Sequence, residues 1–417
     1  MIHLYNIFIQ LYSFVANVLS IKNNKARKWV DGRKSIFDKL TEAFDGNTSK
    51  VIWVHCASLG EFEQARPVIE QFVTSKEDKN DTKILLTFFS PSGYEIQKNY
   101  DKVDWVFYLP IDTKKNAVLF YQIVKPFLII FVKYEFWYHY FATAKNLKIP
   151  LVLVSGIFRN HQPFFRWYGS LHRTMLSCIH HFFLQNQQSK DLLASINISK
   201  NVTVSGDTRF DRVLQIASNA LSISSIEQFI GNSQVIVAGS TWTEDDEEID
   251  HFANINPSLK FIIAPHEINT ERLSECLTLY KNSVLFSNIN NIKANTNVII
   301  IDNVGMLSSL YKYATISFVG GGFGGDGVHN VLEPAVYGKP VVFGPVYDKF
   351  IEANDLVETG GAIVVESALE FERVMNDLLN ETDYYNSCCR SSKEYVLSKT
   401  GSTDTIIDYL MKHNLLP

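Results

Sequence analysis

The sequence predicts an α/β protein built from two parallel-sheet halves in tandem, preceded by an N-terminal helix. Three observations carry this. Short apolar runs recur from residue 51 onward with helical segments between several of them, and the same rhythm restarts at residue 234. Alternation of this kind is the signature of a parallel sheet with helices on both faces. A helical, polar connector at residues 213–231 separates the two series, and an uncharged apolar stretch at residues 4–21 precedes both. The chain of 417 residues suits two domains of ordinary size.

Residues 4–21, LYNIFIQLYSFVANVLSI, carry no charge. As a helix they are about 27 Å long, marginally short of a bilayer core. Asn6, Gln10, Ser13, Asn17 and Ser20 follow one another at steps of four, three, four and three, so they share one helix face. A helix with such a stripe lies more comfortably in a membrane interface than across the bilayer. Lys22, Lys25, Arg27, Lys28, Arg33 and Lys34 follow at once, a run that attracts anionic lipid on the cytoplasmic side. A cleaved signal peptide would carry its positive charge before the apolar run, not after it. The rival reading is a helix packed on its own protein. Charge and stripe agree on membrane association.

In the first half the strand candidates are residues 51–55, 84–89, 105–109, 127–132, 151–154, 181–184 and 202–204. In the second they are residues 234–238, 260–264, 283–286, 298–301, 314–319, 340–343 and 362–365. Hydrophobic residues make up 46% and charged residues 20%, enough for two cores, and a net charge of −5 gives no reason to expect nucleic acid as a partner. Five scattered cysteines form no CxxC pair, so neither zinc nor a disulfide framework is indicated. His180 and His181 are adjacent and point different ways on any regular element, which excludes a metal pair. The acidic residues 244–250 read as a solvated helix face.

Residues 319–345, VGGGFGGDGVHNVLEPAVYGKPVVFGP, hold six glycines within eight residues. Glycines after a strand let backbone N–H groups approach an anion and permit positive φ. His329-Asn330-Val331-Leu332-Glu333-Pro334 then reads as the first turn of a helix, whose dipole favours negative charge. This unit resembles the nucleotide-sugar half of GT-B glycosyltransferases, two Rossmann-like domains facing a cleft, in which a Glu holds the donor ribose. The pattern is neither a P-loop nor a first-strand GxGxxG.

The end of the first strand reads Trp53-Val54-His55-Cys56-Ala57-Ser58-Leu59-Gly60-Glu61. Glu61 stands at a helix N-terminus, three residues after Ser58. One reading is a capping carboxylate; the other is a general base.

WVHCASLGE resembles the first motif of the Kdo transferases, the 3-deoxy-D-manno-octulosonic acid transferases of lipopolysaccharide assembly. Further matches follow in order. KARKWVDGRK at residues 25–34 resembles their post-anchor segment, and LTFFSPSG at residues 86–93 resembles their T-x-x-[ST]-P-[ST]-G loop. Tyr108-Leu109-Pro110-Ile111-Asp112 matches YLP-x-D, and Tyr134-Glu135-Phe136-Trp137 is similar to E-x-E-x-W. Residues 205–211 are similar to SGN-x-KFD. Ala238-Gly239-Ser240-Thr241 matches AGST, and residues 324–334 resemble GGHNxLEP with insertions.

The resemblance implies a transfer of Kdo from CMP-Kdo to a hydroxyl of a lipid A precursor, with inversion, no cofactor and no donor-bound metal. It implies Glu61 as the general base. Gly239, Ser240, Thr241, His266, Gly305, Met306, Gly325, Asn330 and Glu333 would bind the donor. Ser58, Glu135 and Arg166 are acceptor candidates. Arg166 lies in the aromatic stretch FFRWY at residues 164–168, which reads either as packing or as a lipid-facing surface. The expected domains are residues 1–40, a membrane-associated helix with its basic segment; residues 41–212, the acceptor domain; and residues 233–417, the CMP-Kdo domain, whose final helix can pack back on the first. The expected location is the cytoplasmic face of a bacterial inner membrane, against anionic lipid.

The chain departs from the family at several points. P-R-H reads Pro265-His266-Glu267, without the Arg. G-E-L reads Gly305-Met306-Leu307. STHxGE reads Ser240-Thr241-Trp242-Thr243-Glu244-Asp245, and Lys133 replaces the first acid of E-x-E. Two alternatives stay open: another GT-B nucleotide-sugar transferase or epimerase, and an inactive membrane-anchored protein that binds lipid A.

Overall fold

A computed structural model describes residues 1–75, 82–133 and 135–416. Tyr134, the first residue of the segment similar to E-x-E-x-W, lies outside the described residues. The chain forms two compact units: Met1–Arg212 with Thr400–Pro417, and Val213–Lys399.

Unit 1 holds seven strands: β1 (Lys50–Cys56), β2 (Thr82–Phe88), β3 (Trp105–Tyr108), β4 (Pro126–Val132), β5 (Leu151–Gly156), β6 (His181–Leu184) and β7 (Val202–Val204). They pair in parallel in the order β3-β2-β1-β4-β5-β6-β7. The apolar runs predict these strands because both sheet faces are covered, so almost every side chain must be apolar. In β4, Leu128, Ile129, Phe131 and Val132 are fully buried; each such burial contributes about 1.5–3 kcal/mol. One face packs the cluster around Trp53, Phe120 and Tyr140. The other packs Phe62, Val68 and Ile69 with Ile406, Ile407 and Leu410 of the C-terminal helix Ser402–Lys412. Asp211 fastens that helix by accepting from the N–H groups of Gly401 and Thr403, both at 2.6 Å.

Unit 2 repeats the plan with β8 (Val235–Thr241), β9 (Lys260–Pro265), β10 (Ser283–Leu285), β11 (Val298–Ile300), β12 (Ile316–Val319), β13 (Val341–Phe343) and β14 (Ala362–Val364). The parallel order is β10-β11-β9-β8-β12-β13-β14. Its core joins Ile236, Phe252, Phe261, Phe318 and Phe371.

The N-terminal helix, Ile2–Leu19, faces unit 1 with Tyr5, Asn6, Ile9 and Ser13; Gln10 and Asn17 of the polar stripe stay exposed, and the apolar side is bare. Ile9 is buried, Asn6 Oδ1 pairs with His139 Nε2 at 2.7 Å, and the Tyr5 hydroxyl donates to Asp112. Leu4, Phe8 and Phe14 are 70%, 59% and 64% exposed. This helix is long and apolar enough to cross a membrane by length and composition alone.

Two expectations are corrected here. The basic run does not face outward throughout: the Arg33 guanidinium turns inward, 4.1 Å above the Trp29 ring and about 5 Å from Phe89 and Tyr108. The His329-Asn330 segment is loop rather than helix, because the helix spans only Leu332–Ala335 and Asn330 Oδ1 already accepts from Leu332 N–H at 3.3 Å.

Candidate functional site

In unit 1 the chain passes from β1 outward through β2 and β3, then returns to β4 on the other side of β1. Open α/β sheets bind ligands beyond the strand C-termini at such a reversal. Ser58 and Glu61 follow β1 there, and Glu135 follows β4. The helix Leu59–Ser75 has Glu61 in its first turn. The Ser58 hydroxyl donates to Glu61 Oε2, and the Ser58 carbonyl accepts from Phe62 N–H at 3.1 Å. Glu61 is partly exposed, and its Oε1 has no partner among the described residues. The capping and base roles are therefore compatible: one oxygen is held and the other is open.

Glu135 is held from the opposite side. Trp137 Nε1 donates to its Oε2 at 2.5 Å, and His55 Nε2 lies 3.4 Å from the same oxygen. His55 is wholly buried. Its Nδ1 is 2.8 Å from Thr87 Oγ1, which accepts from Trp53 Nε1 at 2.7 Å. The Thr87 hydroxyl also reaches the Val54 carbonyl at 3.4 Å, so His55 is fixed between Thr87 and Glu135 through both of its ring nitrogens. Behind this relay Arg33 donates to the carbonyls of Phe89, Leu109 and Trp29 at 2.8, 2.9 and 3.0 Å. Burial pushes its pKa down to about 10, so it stays cationic at neutral pH. Gly93 lets the loop after β2 close over this edge, since a Cβ there would meet the Phe88 ring at 2.3 Å and the Ser58 backbone at 3.1 Å. Arg166 is exposed and stands outside this cluster; its neighbours Phe164 and Tyr168, not Arg166, line the groove beside Glu135.

In unit 2 the strand order reverses between β8 and β12. Gly239, Ser240 and Thr241 end β8, and the glycine loop follows β12. Gly320 N–H donates to Gly239 O and His266 N–H to Thr241 O, both at 2.9 Å. Ser240 sits at φ +56, a left-handed conformation unusual for a residue with a side chain. A Cβ on Gly239 would strike Tyr311 and Leu307, so the turn carrying Gly305 and Met306 packs close to the end of β8. Asn330 Nδ2 donates to Glu333 Oε1 at 3.0 Å. Thr241 is fully buried, and its carbonyl is taken by His266 N–H, so it shapes the end of β8 rather than facing a ligand.

Three rings stand over this edge. Trp242 Nε1 donates to His329 Nε2 at 3.0 Å, and His266 stacks on His329 at 4.3 Å and on Trp242 at 4.7 Å. Burial and the neighbouring His266 push the His329 pKa down to about 4.

The acidic run is also corrected: Asp245 and Asp246 are fully buried. Asp245 Oδ2 accepts from the N–H groups of Trp242 and Gly321, both at 2.8 Å, which ties the glycine loop to the helix after β8. Asp246 pairs with Arg272 and accepts from Tyr280 at 2.9 Å. Burial raises the pKa of both carboxyls, and their partners oppose it. Internal bonds also occupy the N–H groups of Gly320, Phe323, Gly324, Val328 and His329. The N–H groups of Gly322 and of Gly325–Gly327 have no partner among the described residues, and a Cβ at Gly325 would meet nothing within 4 Å.

Comparison with known proteins adds to this geometry. Residues 33–212 match the family model described as 3-deoxy-D-manno-octulosonic-acid transferase (kdotransferase). A 3-deoxy-D-manno-octulosonic acid transferase of Aquifex aeolicus is 30% identical over 343 residues, which cover 80% of this chain and 87% of that protein. A bifunctional glycosyltransferase/methyltransferase of Fusobacterium nucleatum is 29% identical over 82% of this chain, which spans only 55% of that protein's length. Among solved structures, the UDP-GlcNAc 2-epimerase of Neisseria meningitidis, bound to UDP-GlcNAc, superposes with a TM-score of 0.61 over 87% of this chain and 100% of its own. At 18% identity that likeness concerns the fold alone.

Proposed function

Because the chain belongs to the 3-deoxy-D-manno-octulosonic acid transferase family, we propose that it moves Kdo from CMP-Kdo to a hydroxyl of a lipid A precursor. The observation that carries this reading is Glu61, half-anchored by Ser58 at the point where the order of the first sheet reverses. The attacking hydroxyl must lose a proton as it reaches an oxocarbenium-like carbon. The open oxygen of Glu61 takes that proton. Attack from the face opposite the leaving CMP inverts the anomeric centre. His55 and Trp137 hold Glu135 oriented as a second acceptor for sugar hydroxyls.

Unit 2 takes the donor. The departing phosphate gains charge, and the unpaired N–H groups at Gly325–Gly327 are suited to meet it without a metal. The backbone around Gly239 and Ser240, with the turn at Gly305-Met306, encloses the nucleotide. Glu333, aligned by Asn330, accepts from the ribose hydroxyls. His266 takes the place of the absent Arg. The enzyme works at the cytoplasmic face of the inner membrane, where Ile2–Leu19 and the outward lysines meet anionic lipid.

The deciding experiment incubates the protein with CMP-Kdo and a tetra-acylated lipid A precursor and reads product masses. A mass gain by whole Kdo residues supports the reading. Conversion of a UDP-sugar with no transfer from CMP-Kdo overturns it.

A further inference from the structure

A groove of about 850 Å³ lies between the N-terminal helix and the aromatic segment of unit 1. Leu4 and Phe8 line one side, Phe164, Tyr168 and Leu171 the other, and Glu135 with Trp137 also lines it. Leu4 and Phe8 belong to the bare apolar side of the helix Ile2–Leu19, so the groove is continuous with that surface. The helix is not a loose tail here. Its inner side is tied down by Tyr5 to Asp112 and by Asn6 to His139, which fixes Leu4 and Phe8 as a wall.

We propose that this groove holds one acyl chain of the phosphorylated glycolipid acceptor, so that the helix is part of the substrate site as well as of the membrane-facing surface. The inference rests on the acceptor reading above and adds which residues grip the lipid portion. The groove's chemistry specifies the occupant. One end is apolar and opens onto a surface suited to bilayer lipid. At Glu135, Oε2 is held by Trp137 and His55, while Oε1 has no partner among the described residues; a sugar hydroxyl can donate to it and a hydrocarbon chain cannot. Arg159 lines the same groove, is exposed, and has no ion-pair partner among the described residues; its guanidinium suits a phosphate. Chain, hydroxyl and phosphate together describe an amphiphilic phosphosugar rather than a bulk phospholipid.

The test measures transfer to short-chain precursor analogues shortened one methylene at a time, each kept below its micellar concentration so that the free acceptor is in water. KM should rise about fourfold per methylene removed while the chain still reaches the groove, with kcat nearly constant. Leu4→Ser combined with Leu171→Ser should flatten that dependence. Leu11→Ser, on the same bare side but outside the groove, should weaken vesicle binding and leave the dependence intact. An unchanged slope in the double variant overturns the proposal. A binding measurement separates the groove from the reaction: a brominated-acyl analogue should quench fluorescence in the wild type far more than in Trp137→Phe. Quenching without any Kdo transfer keeps the groove and sinks the transferase reading. Absence of Trp137-dependent quenching sinks the groove whatever the turnover.

Discussion

The indole N–H of Trp242 donates to His329 Nε2 at 3.0 Å, and His266 lies across both rings. That bond needs an unprotonated Nε2, so neutral His329 carries its proton on Nδ1. Replacing Trp242 by Phe keeps a stacking surface and removes the donor. One hydrogen bond is lost, and the stability of unit 2 should fall by about 1 kcal/mol. Nitrogen chemical shifts of His329 should show both tautomers in Trp242→Phe and one in the wild type. Unchanged stability with an unchanged tautomer would reduce the pair to packing.

His329 also makes a pH prediction. Its pKa is lowered from 6.5 to about 4. Between those values the unfolded chain binds the proton more readily, so stability is full above pH 6.5 and falls as pH drops towards 4. His329→Gln should remove this part of the acid sensitivity of unit 2. Hydrogen exchange in the core of unit 2 at several pH values reads it, and parallel curves for the two proteins would refute it.

Glu61→Gln keeps the size and the Ser58 contact of the side chain but cannot take a proton. Transfer should drop by roughly two to four orders of magnitude, with CMP-Kdo affinity unchanged. Glu61→Ala should in addition lower stability by about 1 kcal/mol, since the capping interaction goes too. Near-normal turnover in Glu61→Gln would remove the residue from the mechanism.

The sheets were legible because the inner strands are short apolar runs covered on both faces, and the edge strands β3, β7, β10 and β14, though only partly buried, remain mostly apolar. The reversal points were legible in part: Ser58-x-x-Glu61 and the glycine loop each stand where an apolar run stops. Asp245 and Asp246 were misjudged, although a signal existed. On the helix Thr243–Ile255 the buried positions Ile249, Phe252 and Ala253 define an inward stripe, and steps of four and three back from Ile249 land on 245 and 246. Charge outweighed periodicity in that reading, and burial was possible because Arg272, Tyr280 and loop N–H groups supply partners. Arg33 was hidden for a similar reason: its partners are main-chain carbonyls, which no residue pattern advertises. The Glu135–His55 contact joins side chains 80 positions apart and depends on the β1–β4 pairing.

Asp112 should give unit 1 the opposite pH response. Burial raises its pKa from 3.8 to about 6, although it accepts from Tyr5 and from the N–H groups of His139 and Tyr140. The folded state then binds the proton more tightly than the unfolded chain between those values. Stability is therefore full below pH 3.8 and declines as pH rises towards 6, by on the order of 3 kcal/mol. Asp112→Asn cannot titrate, so the stability advantage of the wild type over the variant should shrink across this range. Hydrogen exchange at the Tyr138–Asn146 helix is the local readout. A constant difference between the proteins would show that this carboxyl does not titrate there.

The N-terminal helix bears the last prediction. Its bare side and the charges after it should hold the protein to membranes by two separable forces. Apolar burial is insensitive to salt, whereas the attraction of a lysine or arginine to anionic lipid is worth about 1 kcal/mol each and is screened. Lys22, Lys25, Arg27, Lys28 and Lys34 can contribute that attraction; Arg33, enclosed between Trp29 and Phe89, cannot. A chain lacking residues 1–21 keeps the charges and loses the apolar side. It should float with anionic liposomes at low salt and detach as salt rises, while the full chain stays bound throughout. The shortened chain also loses the Tyr5 and Asn6 contacts, so unit 1 should unfold at lower denaturant while CMP-Kdo binding in unit 2 is unchanged. If the shortened chain floats equally well at high salt, the helix is not the anchor. Trp167, 91% exposed beside Tyr168, then becomes the residue to replace.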